Sequence, residues 1–356
     1  MRIKELQKFL KKKKINFALF INLGFDETSY NSAYFSGYNG VGALIIPSKE
    51  KPFLIVPKME LEKARKCGFR VYTPEKTRFF DFMREKAREN KIGKKRIAVD
   101  KEELSLLYKD YIKKSFRNSR LVDIRKYLYK LREQKTEIEI KTIKEAYRIS
   151  DRILKNCFSR FKSFKTESDV SAFLEFEARK YGCETSFPPI VASGKHSSQP
   201  HYWVENKKLR KGFCLIDFGI RYKNYCTDTT RMVYLGEPSE EEIRIYNFLL
   251  KVQKNIIRNL RVGKRCERIY KEAVGYLGNY SKYFTHGLGH GFGIKIHELP
   301  NITEKSKDKI KENTVFTIEP GIYLKNFGIR IEDGLLSNKN KIEILSKLPK
   351  DLLIVN

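Results

Sequence analysis

Four acidic side chains in the C-terminal half of this chain stand in or against apolar runs: Asp217 in FCLIDFG, Asp228 just before TTRMVYL, Glu319 in VFTIEPG and Glu332 in FGIRIED. Such runs, with turn residues beside them, read as strands of a packed sheet. A carboxylate carried into a sheet loses its hydration, and burying it unpaired is costly, so each of these residues needs a cation or hydrogen-bond donors. Any fold of this chain has to meet that need at four separate places. Asp217 ends one apolar strand and Asp228 begins the next after a polar connection. If those strands pair as a hairpin, both carboxylates can point at one place.

A second concentration of chemistry lies in THGLGHGFGIKIHELP, which holds His286, His290 and His297 in a chain with only 5 histidines. The interleaved glycines let the backbone pass close to a site, and neutral imidazole is a good ligand for Mn, Fe, Co or Zn.

The N-terminal part reads as α/β. Short apolar runs at 16–22, 41–47, 53–57 and 97–100 look like strands, and amphipathic stretches at 59–66, 80–91 and 102–114 look like helices. The opening residues read as a short basic amphipathic helix without the apolar core of a secretory signal. Near residue 135 the pattern changes: Thr136 and Glu139 form a capping box ahead of a long helical repeat. Further helices are expected at 167–181 and 239–260, and a domain boundary falls at 128/129. Residues 129–356 form an α+β domain whose strands carry the acidic residues.

Composition narrows the setting. No apolar run approaches the roughly 20 residues that span a bilayer. The 6 cysteines are scattered without CxxC spacing, as expected where thiols stay reduced, which points to the cytoplasm. A net charge of +30 could favour phosphate-rich partners, but the basic residues are spread along the chain and no nucleic-acid motif accompanies them, so no specific nucleic acid is expected.

The order Asp217, Asp228, His290, Glu319 and Glu332, each in its own motif, resembles the pita-bread metallopeptidases, the family of Xaa-Pro dipeptidases (prolidases), Xaa-Pro aminopeptidases and methionine aminopeptidases. The resemblance covers residues 136–356, and the preceding α/β domain looks like the N-terminal domain of the prolidase branch, which methionine aminopeptidases generally lack. It implies a pita-bread fold and two divalent cations, Mn or Co with Zn or Fe as alternatives. Asp217-, Asp228- and Glu332-type residues hold the first, and Asp228-, His290-, Glu319- and Glu332-type residues the second. It also implies that Glu319 shuttles a proton, that His297 stabilises the tetrahedral intermediate, that His201 lies near the leaving group, and that Arg330 helps order the site. His286 takes a supporting place at best. The implied activity is hydrolysis of peptides with proline at the second position, by a homodimer; a non-catalytic relative binding protein or RNA is the alternative from another class. Two departures bear on substrate choice: Lys195-His196 stands where a small or proline residue followed by asparagine is usual, and Lys295 where an acidic residue is common.

Overall fold

The computed structural model describes residues 2–24, 29–93, 95–339 and 341–356. The chain divides into two compact units, Met1–Leu131 and Arg132–Asn356.

The first unit is built on a six-stranded mixed sheet, in the order Arg70–Tyr72, Phe53–Ile55, Gly42–Pro47, Phe17–Asn22, Arg96–Val99, Arg120–Asp123. Its central strands Phe17–Asn22 and Gly42–Pro47 are buried at every position because both faces are covered. Ala18 and Phe20 point into one core with Leu6, Leu10 and Leu128, while Phe17, Leu19 and Ile21 point into the other with Met83 and Ile112. The expected helix at 102–114 begins only at Leu106, because the Ser105 side chain accepts from Tyr108 N and caps it there. The stretch at 59–66 divides into a 3-10 turn, Lys58–Glu60, and a short helix, Leu61–Arg65.

The second unit opens with the helix Glu137–Ser159, and the Thr136–Glu139 capping box is formed on both sides. A four-stranded sheet follows, in the order Leu353–Val355, Thr229–Leu235, Gly212–Phe218, Ile190–Ser193. Strand alternation sends Phe213 and Leu215 toward the helices Glu240–Arg258 and Cys266–Leu277. Cys214, Ile216 and Phe218 turn toward Glu137–Ser159 and Glu167–Lys180. A five-stranded antiparallel sheet runs Glu298–Ile302, Gly289–Gly291, Thr314–Ile318, Asp333–Asn338, Lys341–Ile344. The hairpin Gly321–Tyr323/Gly328–Arg330 forms a sheet of its own.

Two strands read as continuous from the sequence are therefore broken. FGIRIEDG becomes Gly328–Arg330 and Asp333–Asn338, and Glu332 lies in the gap where the chain leaves one sheet for another. Glu319 lies in the matching gap between Thr314–Ile318 and Gly321–Tyr323. The expected hairpin around Asp217 and Asp228 is present, with Thr230 opposite Asp217, and its polar connection folds into the short strands Ile220–Tyr222 and Tyr225–Cys226.

One buried ion cluster ties the start of this unit to its five-stranded sheet. Glu298 accepts from Arg132 Nε at 2.8 Å and from Lys135 Nζ at 3.2 Å, with all three side chains at most 2% exposed. Removing the acid leaves two cations buried together, a change that costs about 3–5 kcal/mol. Glu298→Ala is therefore expected to lower the unfolding free energy measured by urea denaturation by that amount; a change below about 1 kcal/mol would show that the cluster is hydrated in solution.

Candidate metal centre

Sheet alternation places Asp217 on the same side of its strand as Phe213 and Leu215, but at the end, where the apolar core gives way to a cavity. That cavity, of about 700 Å³, is lined by His201, Asp217, Asp228, His286, His290, His297, Glu319, Arg330 and Glu332. Every residue singled out as a ligand or a catalytic group thus faces one space. Lys195 and Lys295 are not among its lining residues.

Asp217, Asp228 and Glu332 are 8%, 5% and 1% exposed, so water can satisfy little of their charge. Each is held by one oxygen or by its backbone. Arg330 Nη2 donates to Asp217 Oδ2 at 2.6 Å. The Thr230 hydroxyl donates to Glu332 Oε2 at 2.7 Å. The buried Tyr147 hydroxyl donates to Asp228 O at 2.9 Å and accepts from Asp228 N at 3.3 Å, fixing the backbone and leaving the carboxylate Oδ1 unclaimed. Asp217 Oδ1 and Asp228 Oδ1 have no hydrogen-bond partner. Glu319 accepts from the Thr317 hydroxyl at 3.1 Å, and the same hydroxyl accepts from His290 N at 3.1 Å.

His290 lies between the acids, with Nε2 3.5 Å from both Asp228 Oδ2 and Glu319 Oε1. Its Nδ1 is 3.1 Å from Gly291 O; a proton there leaves the Nε2 lone pair facing the carboxylates. The flanking glycines are needed for this approach: a Cβ on Gly289 would run into the Thr317 carbonyl and one on Gly291 into the Leu299 carbonyl.

The electrostatics are those of a site short of positive charge. Burial first, then the neighbouring carboxylates, hold Asp228 and Glu332 well above the ordinary carboxylate range. Burial raises Glu319 as well, against the opposing pull of His286 and Arg330. Desolvation pushes His290 down. His297, whose ring meets that of His290 edge-on at 4.2 Å, is pushed down by desolvation and then by His290 and His201. His286 Nδ1 donates to Gly287 O at 2.7 Å, its Nε2 lies 2.9 Å from the Tyr323 hydroxyl, and Nδ1 is 3.9 Å from Glu319.

This donor set fits a divalent cation. Ligand atoms of Asp228, His290 and Glu332 all lie within 4.8 Å of one another. Asp217 and Glu319 face the same space from either side of that group, and the two partnerless aspartate oxygens point to a missing positive charge. Carboxylates with one imidazole suit Mn, Co, Fe or Zn.

The sequence did not single out Thr230, Thr317, Tyr147 or Tyr323. The first two had a readable signal: each stands two residues from an acid, at Asp228 and Glu319, a spacing that shares a strand face. Tyr147 and Tyr323 act only through tertiary packing.

A family model, Metallopeptidase family M24, matches residues 141–339, and the Creatinase/Prolidase N-terminal domain matches residues 2–134. The chain belongs to metallopeptidase family M24. Within that family it is 32% identical to an uncharacterised peptidase of Staphylococcus epidermidis over 98% of this chain and 99% of that one. Its fold matches the X-Pro aminopeptidase of Thermotoga maritima with a TM-score of 0.89 and 33% identity, covering 96% of this chain and 98% of that one. It matches the Xaa-Pro dipeptidase of Bacillus anthracis with a TM-score of 0.89 and 29% identity over 99% of both. As an M24 metallopeptidase with a pita-bread catalytic fold, the chain is an enzyme that acts on peptides with divalent metal. No helix among the described residues is long and apolar enough to cross a membrane.

The raised carboxyls give the metal-free protein a definite pH response. A carboxyl whose folded pKa lies above its unfolded value of ~4 binds more protons when folded, so its contribution to stability falls as pH rises through that range. With chelator present, the melting temperature should fall from the ordinary carboxylate range toward neutrality. Added Mn should reverse the slope and raise the melting temperature most at neutral pH. Scanning calorimetry with and without Mn at several pH values checks this; parallel curves would count against cation binding by these acids.

Proposed function

We propose that this peptidase cleaves Xaa-Pro bonds, with Xaa-Pro dipeptides (prolidase activity) as its first substrates, and that its site takes two divalent cations, Mn or Co, with Zn or Fe as alternatives. The observation that carries this reading is the meeting of Asp217, Asp228, His290, Glu319 and Glu332 with His201 and His297 in one cavity. Likeness along nearly the whole chain to an X-Pro aminopeptidase and an Xaa-Pro dipeptidase supports it. In this reading residues 129–356 carry the catalysis and residues 1–128 form the smaller domain.

Asp217, Asp228 and Glu332 would hold one cation, and Asp228, His290, Glu319 and Glu332 the other, with Asp228 and Glu332 shared. Bound there, the cations supply Lewis acidity toward the scissile carbonyl and a lower pKa for water in the cavity. The remaining work falls to side chains. Glu319, half-buried and held by Thr317, accepts a proton from water and returns it to the departing ring nitrogen. His297, kept neutral by its surroundings, donates to the carbonyl oxygen as that atom gains charge. Arg330 keeps Asp217 to one free oxygen and one occupied oxygen. His201, open to the cavity, serves the leaving side. A bond before proline offers no N–H, so a site that works on the carbonyl and the leaving nitrogen suits it better than one that grips an amide hydrogen.

The aminopeptidase reading, release of the first residue from longer Xaa-Pro-Xaa peptides, has the 33% identity to the Thermotoga maritima enzyme in its favour. A cavity of about 700 Å³ holds a short peptide in either case. The homodimer implied by the resemblance and the cytoplasmic setting expected from the scattered cysteines go with both readings, and sedimentation of the purified chain tests the first.

The deciding experiment offers Met-Pro and a longer Xaa-Pro-Xaa peptide to protein stripped of metal and then given Mn or Co. Metal-dependent cleavage of the dipeptide alone identifies a prolidase, and preferential release of the first residue from the longer peptide identifies an aminopeptidase. Glu319→Gln should lower kcat by about 10²–10⁴-fold, the range for loss of a positioned acid-base group. Cleavage of neither peptide by folded, metal-loaded protein would sink the Xaa-Pro reading.

A further inference from the structure

One of the buried carboxylates outside the proposed metal set is not used by the chemistry above. Glu167, the first residue of the helix Glu167–Lys180, is 0% exposed. The helix N-terminus favours its negative charge, and four donors from one short segment converge on it. Oε1 accepts from Ser193 N and from the Ser193 hydroxyl, both at 2.7 Å. His196 Nδ1 lies 2.9 Å from Oε1 and 3.1 Å from Oε2. The Tyr202 hydroxyl donates to Oε2 at 2.9 Å. The His196 ring also stacks on Tyr202, with centroids 4.5 Å apart and planes 22° apart.

This segment carries His201, an exposed side chain with no hydrogen bond recorded among the described residues. Its placement over the cavity therefore depends on its backbone, which is pinned on each side. Before it, Pro200 O accepts from Arg330 Nη1 at 3.0 Å. After it, Tyr202 is buried and bound to Glu167. The same turn is fastened once more where Gly328 N donates to the Ser197 hydroxyl at 2.9 Å. Arg330 joins one pin to Asp217, so the loop and the acids share a frame.

We propose that Glu167 is a positioning residue that acts, through His196 and Tyr202, to hold His201 over the carboxylate cluster. The asparagine-to-histidine departure at position 196 then has a physical role: its imidazole bridges the buried acid and the tyrosine ring. This inference rests on the role given to His201 above.

Two variants and two readouts test it. Glu167→Gln keeps the shape but removes the charge that four donors share, and Tyr202→Phe removes one hydroxyl with little risk to folding. Each should lower kcat on the order of 10- to 100-fold, as a misplaced catalytic group does, with KM and bound metal nearly unchanged. Combined with His201→Ala, each should add almost nothing to the loss that His201→Ala causes alone, because residues acting through one another are not additive. Fully additive losses, or losses that follow metal content, would overturn the proposal. The second readout needs no turnover: with 5 histidines, ring signals in ¹⁵N-histidine NMR spectra can be assigned by substitution. The His201 signal should shift or broaden in both variants, and an unmoved signal would also overturn the proposal. If that signal responds but the unaltered enzyme cleaves no Xaa-Pro peptide, the functional reading fails while the positioning role stands.

Discussion

The second unit is organised around a repulsion. Asp217, Asp228, Glu319 and Glu332 converge on one cavity, and among the described residues only Arg330 brings a fixed positive charge against any of their carboxylates. In a low-dielectric setting like charges at this spacing stay together only if the backbone gives them no choice. The chain achieves this by placing them at strand ends. Asp228 precedes Thr229–Leu235, Glu319 follows Thr314–Ile318, and Glu332 precedes Asp333–Asn338. Ladder hydrogen bonds on one side of each acid fix its Cα, while the break on the other side frees its side chain to leave the sheet plane.

Breaks in a sheet expose backbone groups that must be satisfied elsewhere. Behind Glu332 this falls to Arg231, which donates to Glu332 O and Thr230 O and pairs with Asp333 Oδ1 at 2.8 Å. Lys350 and Gln253 complete Asp333 at 2.7 and 3.0 Å, and Gln253 also reaches Ile318 O and Ile331 O, on either side of the two gaps. A buried pair such as Arg231–Asp333 adds little net stability over an apolar substitute, but it accepts only one register. Its place beneath the gaps suits that use, since a slip of one residue would turn Glu332 toward the opposite face.

The acids were legible in the sequence because a carboxylate in an apolar run is an energetic contradiction that has few resolutions, whereas their shared destination with His290 was implied by the family resemblance. The capping box at Thr136 was legible for a local reason, since both partners lie within one turn. The sheet breaks at Glu319 and Glu332 were not. Apolar residues continue across them, and nothing local separates a strand that crosses between sheets from one that stays. Thr230 and Thr317 could have been found from strand parity. Tyr147 could not, because its hydroxyl reaches Asp228 across 81 positions of sequence. Nor could Glu167, which in sequence is only an acidic residue in the first turn of a helix, the commonest place for one.

Chemistry and selectivity are carried by different segments of the cavity. The acids line it from strand ends, and His201, His286 and His297 line it from loops. One wall is a face of the helix Glu167–Lys180, where Ser168, Ser171, Ala172 and Glu175 recur at helical spacing, and Phe187, Pro188, Pro189 and Trp203 complete an apolar surface. Under the proposed activity, a peptide in the cavity would meet this wall as well as the acids and histidines. Lys195 and Lys295 lie outside the lining. The helix therefore has two duties on opposite sides of its first turn. Glu167 faces inward to fasten the loop of His201, and Ser168 faces the substrate space. A change of substrate preference can then be accommodated along Ser171, Ala172 and Glu175 without disturbing the acid cluster, which is the division expected where one metal centre supports several peptide specificities.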